Sequence, residues 1–198
     1  MTADNDLASR VRIGEVKVLS HVKYLLRFFT YTFRRSDGSW QEQKREVYDK
    51  GDGAAILLYN RARRSVVLIR QFRLPPFVSG YRHLLIEAAA GVLDGETPEA
   101  RIRAEAEEET GYRLDKVEPL FEAFMSPGAF TEKLHFFAAE YDAASRPGSG
   151  GGLKDEGEDI EVLELPFDDA YAMIAHGEIV DAKTIILLQY AKLHIFAN

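Results

Sequence analysis

The sequence predicts a mixed α/β (α+β) protein with a small antiparallel β-sheet at its N-terminus. Three observations carry this. From Val11 to Val47 the pattern is strand-like and rich in aromatic and β-branched residues. Short apolar runs bounded by turn residues recur through the middle of the chain. A well-delimited helix at Pro98–Thr110 and two helical patterns at the C-terminal end complete the set.

In chain order, V-R-I-G-E-V-K-V-L, Y-L-L-R-F-F-T-Y-T-F and W-Q-E-Q-K-R-E-V-Y read as strands, the last two joined by the hairpin turn S-D-G-S. A sheet this small is marginal alone, so residues 1–48 are expected to form a segment that packs on something else, with 49–198 as the main domain. A-A-I-L-L-Y-N and S-V-V-L-I-R-Q-F are further strands around the polar turn N-R-A-R-R. L-L-I-E-A-A-A-G fits either a strand running into a glycine turn or a short buried helix. Thr97 can cap the next helix, Pro98 suits its first position and Gly111 sits just past its end. L-F-E-A-F-M-S-P-G, L-H-F-F-A-A-E-Y and D-I-E-V-L-E-L-P are strands, the last two separated by an acidic glycine-rich loop over 142–159, too long to be passive. F-D-D-A-Y-A-M-I-A-H-G and A-K-T-I-I-L-L-Q-Y-A-K-L are terminal helices.

Composition narrows the function. The 198 residues carry 25 Lys+Arg against 32 Asp+Glu, a net charge of -7, which argues against a nucleic-acid partner. With no cysteine, disulfides, thiolate metal sites and a cysteine nucleophile are excluded. The first ten residues lack the basic-then-apolar order of a signal peptide, and no apolar run approaches the ~18 residues of a membrane span. A cytoplasmic, water-soluble protein is expected.

Residues 103–111 read R-A-E-A-E-E-E-T-G, so Glu105, Glu107, Glu108 and Glu109 close the helix rather than open it. Carboxylates there face the negative end of the macrodipole, at roughly 0.3–1 kcal/mol each. Like charges at i,i+3 and i,i+4 add a similar penalty. Glu105, Glu108 and Glu109 share one face. Spacing alone leaves two readings: a solvated acidic face, or oxygen ligands converging on Mg²⁺ or Mn²⁺.

The stretch Ala90 to Tyr112, A-G-V-L-D-G-E-T-P-E-A-R-I-R-A-E-A-E-E-E-T-G-Y, resembles the signature of the Nudix hydrolases, G-x5-E-x7-R-E-U-x-E-E-x-G-U with U aliphatic. Glu105, Ala106, Glu108, Glu109, Gly111 and Tyr112 match its second half. Two departures stand out. The interval from Gly91 to Glu105 is one residue short, and the signature arginine position holds Ala104, with Arg103 one place earlier. Either Arg103 substitutes or the orienting role has moved. The short box, preceded by L-I-E-x-x-A-G, is similar to the GDP-mannose pyrophosphatase branch of the family. K-R-E-V-Y-D, V-V-L-I-R-Q-F-R, M-S-P-G, T-E, the G-G-G loop and D-A-K-T fit that branch too, so the resemblance runs from Leu19 to Leu188.

The resemblance implies a Nudix-type α/β/α sandwich with a mixed sheet in 49–198. It implies divalent cations, Mg²⁺ or Mn²⁺, that polarise a pyrophosphate for attack by water. Glu105, Glu109 and the Ala90 carbonyl become metal ligands, with Glu108 shared or standing behind them. Ala90, Gly91 and Val92 bring backbone against the substrate. Glu158 completes the site as ligand or general base, with Glu156 as the alternative. Lys44, Arg45, Glu46, Arg73, Glu132 and Lys183 become substrate contacts, and the branch is homodimeric through its N-terminal sheet. The expected reaction is Mg²⁺-dependent hydrolysis of a nucleoside diphosphate sugar, GDP-mannose first and ADP-ribose second. The different-class alternatives are an inactive nucleotide-sugar binding protein and a helix that uses a metal only for stability.

Overall fold

The computed structural model describes residues 6–153, 155 and 157–197. The chain divides into two compact units, Met1–Gly51 with Ser126–Glu132, and Asp52–Met125 with Lys133–Asn198. No helix among the described residues is long and apolar enough to cross a membrane.

The first unit is an antiparallel sheet of β1 (Val11–His21), β2 (Leu25–Arg34) and β3 (Trp40–Asp49), in that order. Gly38, at φ +85°, supplies the left-handed position of the β2–β3 turn, which the Arg35 N–H to Ser39 carbonyl bond closes at 2.8 Å. β2 is central and half-buried from Leu25 to Phe33, whereas the edge strand β1 exposes Ile13, Val16, Val18 and Leu19. Residues 126–132 join this unit through Tyr48, whose N–H donates to Ala129 and whose carbonyl accepts from Thr131.

The second unit holds β4 (Gly53–Asn60), β5 (Ser65–Gln71), α1 (Leu74–Val78), β6 (Leu85–Glu87), β7 (Ala89–Val92) and α2 (Pro98–Thr110). Then come β8 (Glu118–Phe124), β9 (Lys133–Glu140), β10 (Glu161–Pro166), α3 (Phe167–His176) and α4 (Ala182–Tyr190). The strands form one mixed sheet in the order β10-β5-β4-β9-β8, with β4 and β9 parallel and the other pairs antiparallel. Strand alternation decides the layers. Ile56, Leu58, Val67 and Phe137 pack with Ile102 and Ala106 of α2. Their neighbours Leu57, Leu68 and Phe136 pack with Phe167, Ala170, Leu187 and Leu188 of α3 and α4. The result is an α/β/α sandwich, as the resemblance implies.

One irregularity places the site. β4 and β5 pair directly only where Leu58–Asn60 face Ser65–Val67. Beyond that β4 pairs with β7 and β5 with β6, so a two-stranded wedge fills the opening. Ala88, between the wedge strands, gives its N–H to Thr184 Oγ1 at 2.7 Å. The L-L-I-E-A-A-A-G stretch is therefore two short strands, not a helix. The last helical pattern stops as α-helix at Tyr190 and continues as a π-turn over Ala191–Ile195.

Candidate active site

α2 has the limits its capping residues predict. Thr97 Oγ1 accepts the Ala100 N–H at 3.3 Å, and Gly111, at φ +79°, ends the helix. Its buried stripe is Ile102, Glu105, Ala106, Glu109 and Thr110, so two carboxylates and a threonine hydroxyl share the face with Ile102 and Ala106. Glu107 points away and pairs with Arg113 at 2.7 Å. Glu108 lies between, its side chain 30% exposed. The four glutamates thus divide into an outward residue, an intermediate one and a buried pair.

The glycine-rich loop explains how this helix end tolerates its charge. The N–H groups of Gly151 and Gly152 donate to the last carbonyls of Glu109 and Glu108 at 3.0 and 3.1 Å. A Cβ on Gly150 would sit 2.5 Å from the Glu109 carbonyl oxygen, so only glycine approaches this closely. The loop then turns Glu158 back, its Oε2 accepting the Leu153 N–H at 2.9 Å. Glu156 lies outside the described residues.

Glu109 is 2% exposed, and its Oε2 accepts the Ala90 N–H at 3.1 Å. Burial, followed by the nearby charge of Glu105, pushes its carboxyl up to about 8, with Glu158 adding to the shift. Burial also raises Glu105, against the pull of Arg101. Glu105 Oε1 meets Arg101 Nη2 at 2.5 Å, and the same guanidinium is 4.0 Å from Glu108 and from Glu96. Arg103 faces elsewhere, donating to the Leu114 carbonyl and Glu99. The cation on the carboxylate cluster is therefore Arg101, one turn before the signature position. The i,i+4 spacing from Arg101 to Glu105 was the available signal.

Gly91 lies flat against the cluster, since a Cβ there would be 1.6 Å from Glu105 Oε1. Ala90, Gly91 and Val92 are in register with Ala55, Ala54 and Gly53 of β4. As the side chains stand, no three acidic or histidine groups among the described residues form a ready ion cage. The donor chemistry nevertheless fits a divalent cation. Hard oxygen donors stand beside a small-residue strand, and the charge on buried Glu105 and Glu109 lacks full compensation.

A second cluster adjoins this one. Glu87, 2% exposed at the end of β6, accepts Arg73 Nε on Oε1 at 2.8 Å and Lys183 Nζ on Oε2. Lys183 also pairs with Asp181 at 3.0 Å, and Asp181 caps α4 through the Thr184 N–H. Burial opposes the charge on Arg73, but Glu87, Glu109 and Glu158 together overcome it and hold the guanidinium above its ordinary range. Glu87 is not among the sequence candidates; its sign in the sequence is the glutamate of L-I-E-x-x-A-G.

The remaining candidates lie in the first unit. Lys44 and Arg45 are exposed on β3, Lys44 3.8 Å from Glu42 and Arg45 bonded to Gln43 and the Lys44 carbonyl. Glu46 is exposed beside them, and Glu132 pairs with Lys50 at 2.6 Å.

A family model for the NUDIX domain matches residues 49–187, and one described as the GDP-mannose pyrophosphatase NudK N-terminal domain matches residues 10–48. The chain belongs to the Nudix family of pyrophosphohydrolases. Among its curated relatives, this Nudix chain is 55% identical to a protein of Pectobacterium atrosepticum named GDP-mannose pyrophosphatase, covering 93% of this chain and 95% of the relative. Proteins of the same name from Klebsiella pneumoniae and Cronobacter sakazakii are 54% and 52% identical, over 93% and 94% of this chain and 92% and 97% of theirs. A solved structure titled as an ADP compounds hydrolase superposes with a TM-score of 0.70 at 16% identity, covering 94% of this chain and 95% of that one. That likeness shows the fold. Nudix hydrolases generally use a divalent metal.

Proposed function

We propose that this Nudix hydrolase cleaves the pyrophosphate of GDP-mannose, giving GMP and mannose 1-phosphate. The observation that carries the substrate is the identity of 52–55%, across nearly full length, to relatives bearing the name GDP-mannose pyrophosphatase. A carboxylate-lined α2 beside the cluster of buried Glu87 with Lys183 and the part-exposed Arg73 supports the chemistry.

Glu105, Glu109, Glu158 and the Ala90 carbonyl, with Glu108 alongside, would hold Mg²⁺ or Mn²⁺, which would neutralise charge on the diphosphate. Arg73 and Lys183 bind phosphoryl oxygens, and the backbone of Ala90, Gly91 and Val92 lines the path of the substrate. Glu158, ligand or general base, takes the proton of the water whose oxygen bonds to phosphorus as the P–O–P bridge breaks. Lys44, Arg45, Glu46 and Glu132 are assigned as further substrate contacts, Lys44 to Glu46 in the active site of the partner subunit. We assign the enzyme to the cytoplasm and to a homodimer, the latter supported by the exposed apolar face of β1. Ultracentrifugation showing a fully active monomer overturns the dimer.

Assay of GDP-mannose, ADP-ribose and ADP-glucose with Mg²⁺ tests the proposal. GDP-mannose is expected to have the highest kcat/KM. ADP-ribose in first place replaces the substrate, and no turnover of any of the three makes the chain a binding protein.

A further inference from the structure

We propose that Glu87 is a positioning residue that makes Arg73 and Lys183 act as one anion clamp; this rests on the diphosphate reading above. The two cations come from distant parts of the chain, the N-cap of α1 and the first turn of α4. Each reaches a different oxygen of one carboxylate whose side chain is 3% exposed. Glu87 takes Arg73 by Nε, leaving the four N–H bonds on its Nη atoms without a partner among the described residues. That is the planar fork that matches phosphoryl oxygens. Lys183 spends hydrogens on Glu87 and Asp181, leaving one for a ligand.

The same residue registers the clamp against the carboxylate helix. Ala88, next in the chain, is tied to Thr184 of α4, and Ala90, two residues further, donates to Glu109. Glu87 therefore sits where α4, the wedge strands and α2 are linked through successive residues. A charge this buried is costly unless fully paired, and its pairing is complete.

Removing a negative charge beside an anion site would by itself tighten anion binding. A weaker site after Glu87→Gln can therefore arise only from lost placement. The test is a double-mutant cycle of E87Q and R73Q, read two ways in Mg²⁺: calorimetric binding of methylenediphosphonate, which cannot be cleaved, and kcat/KM for GDP-mannose. E87Q is expected to lower both by roughly 10- to 100-fold, and to cost clearly less when added to R73Q, where Lys183 alone is left to misplace. Losses that multiply, or an unchanged diphosphonate affinity in E87Q, overturn the proposal. Should E87Q fail to fold, E87D keeps the charge but is one methylene too short to hold both cations, and the same cycle is run with it. If the wild type binds diphosphonate yet hydrolyses no nucleotide sugar, the proposed function fails while the calorimetric cycle still judges Glu87.

Discussion

Arg101 and Glu105 stand one helical turn apart on α2 and meet at 2.5 Å, Nη2 to Oε1. Gly91 flanks Glu105, so the carboxylate is held between a guanidinium and a backbone with no side chain. Replacing Arg101 by Gln is expected to lower kcat/KM by roughly 10- to 100-fold, the range for losing a charged, partly buried hydrogen bond. Arg103→Gln, which touches Leu114 and Glu99 instead, should stay within about 3-fold. Steady-state kinetics on the two variants checks this; equal losses would remove the distinction.

Gly91→Ala should act through Glu105 alone. The new methyl would overlap Oε1 and force the carboxylate aside. Affinity for Mn²⁺, followed by electron paramagnetic resonance, is expected to fall by about 10-fold or more, with Tm moving by only a few degrees. Unchanged Mn²⁺ affinity would separate Glu105 from the ion.

The Glu109 carboxyl, pushed up to about 8 from 4.5, ties stability to pH. Between those values the folded protein holds a proton that the unfolded chain releases, so this contribution is present at low pH and lost as pH rises toward 8. In chelator, stability is expected to decline from about pH 5 to pH 8 from this group. Glu109→Gln should flatten that slope. Mg²⁺ or Mn²⁺, which favours the ionised carboxylate, should oppose the decline. Chemical denaturation across pH with and without EDTA measures all three, and an E109Q slope equal to wild type would contradict the assignment.

Gly150 packs tightly against the end of α2. At φ +69° and 2.5 Å from the Glu109 carbonyl, alanine would be both strained and clashing. Gly150→Ala should cost about 1–3 kcal/mol and also reduce activity, because the loop carries Glu158. Gly80, with nothing within 4 Å of a Cβ, is the control for positive φ alone. Thermal melts of the two variants give the comparison.

What the sequence revealed follows the range of the interactions. α2 was legible to the residue because its limits are set within a turn, by Thr97, Pro98 and Gly111. The wedge strands were not, because seven residues cannot distinguish strand from helix, and their placement depends on Thr184, 96 positions away. α1 leaves no periodic signal because it is a single five-residue turn built around Pro75 and Pro76. Arg101 stands in plain i,i+4 spacing to Glu105 but off the signature position, to which Arg103 lies nearer. Glu87 becomes visible only when the fold brings Arg73 and Lys183 together.

The most direct measurement is phosphorus-detected hydrolysis of GDP-mannose in Mg²⁺ by the wild type and by Glu109→Gln. We expect GMP and mannose 1-phosphate from the wild type, and a kcat lower by roughly 10³-fold or more in the variant. Wild-type turnover that the substitution leaves intact would contradict the claim that the buried carboxylates of α2 carry the chemistry.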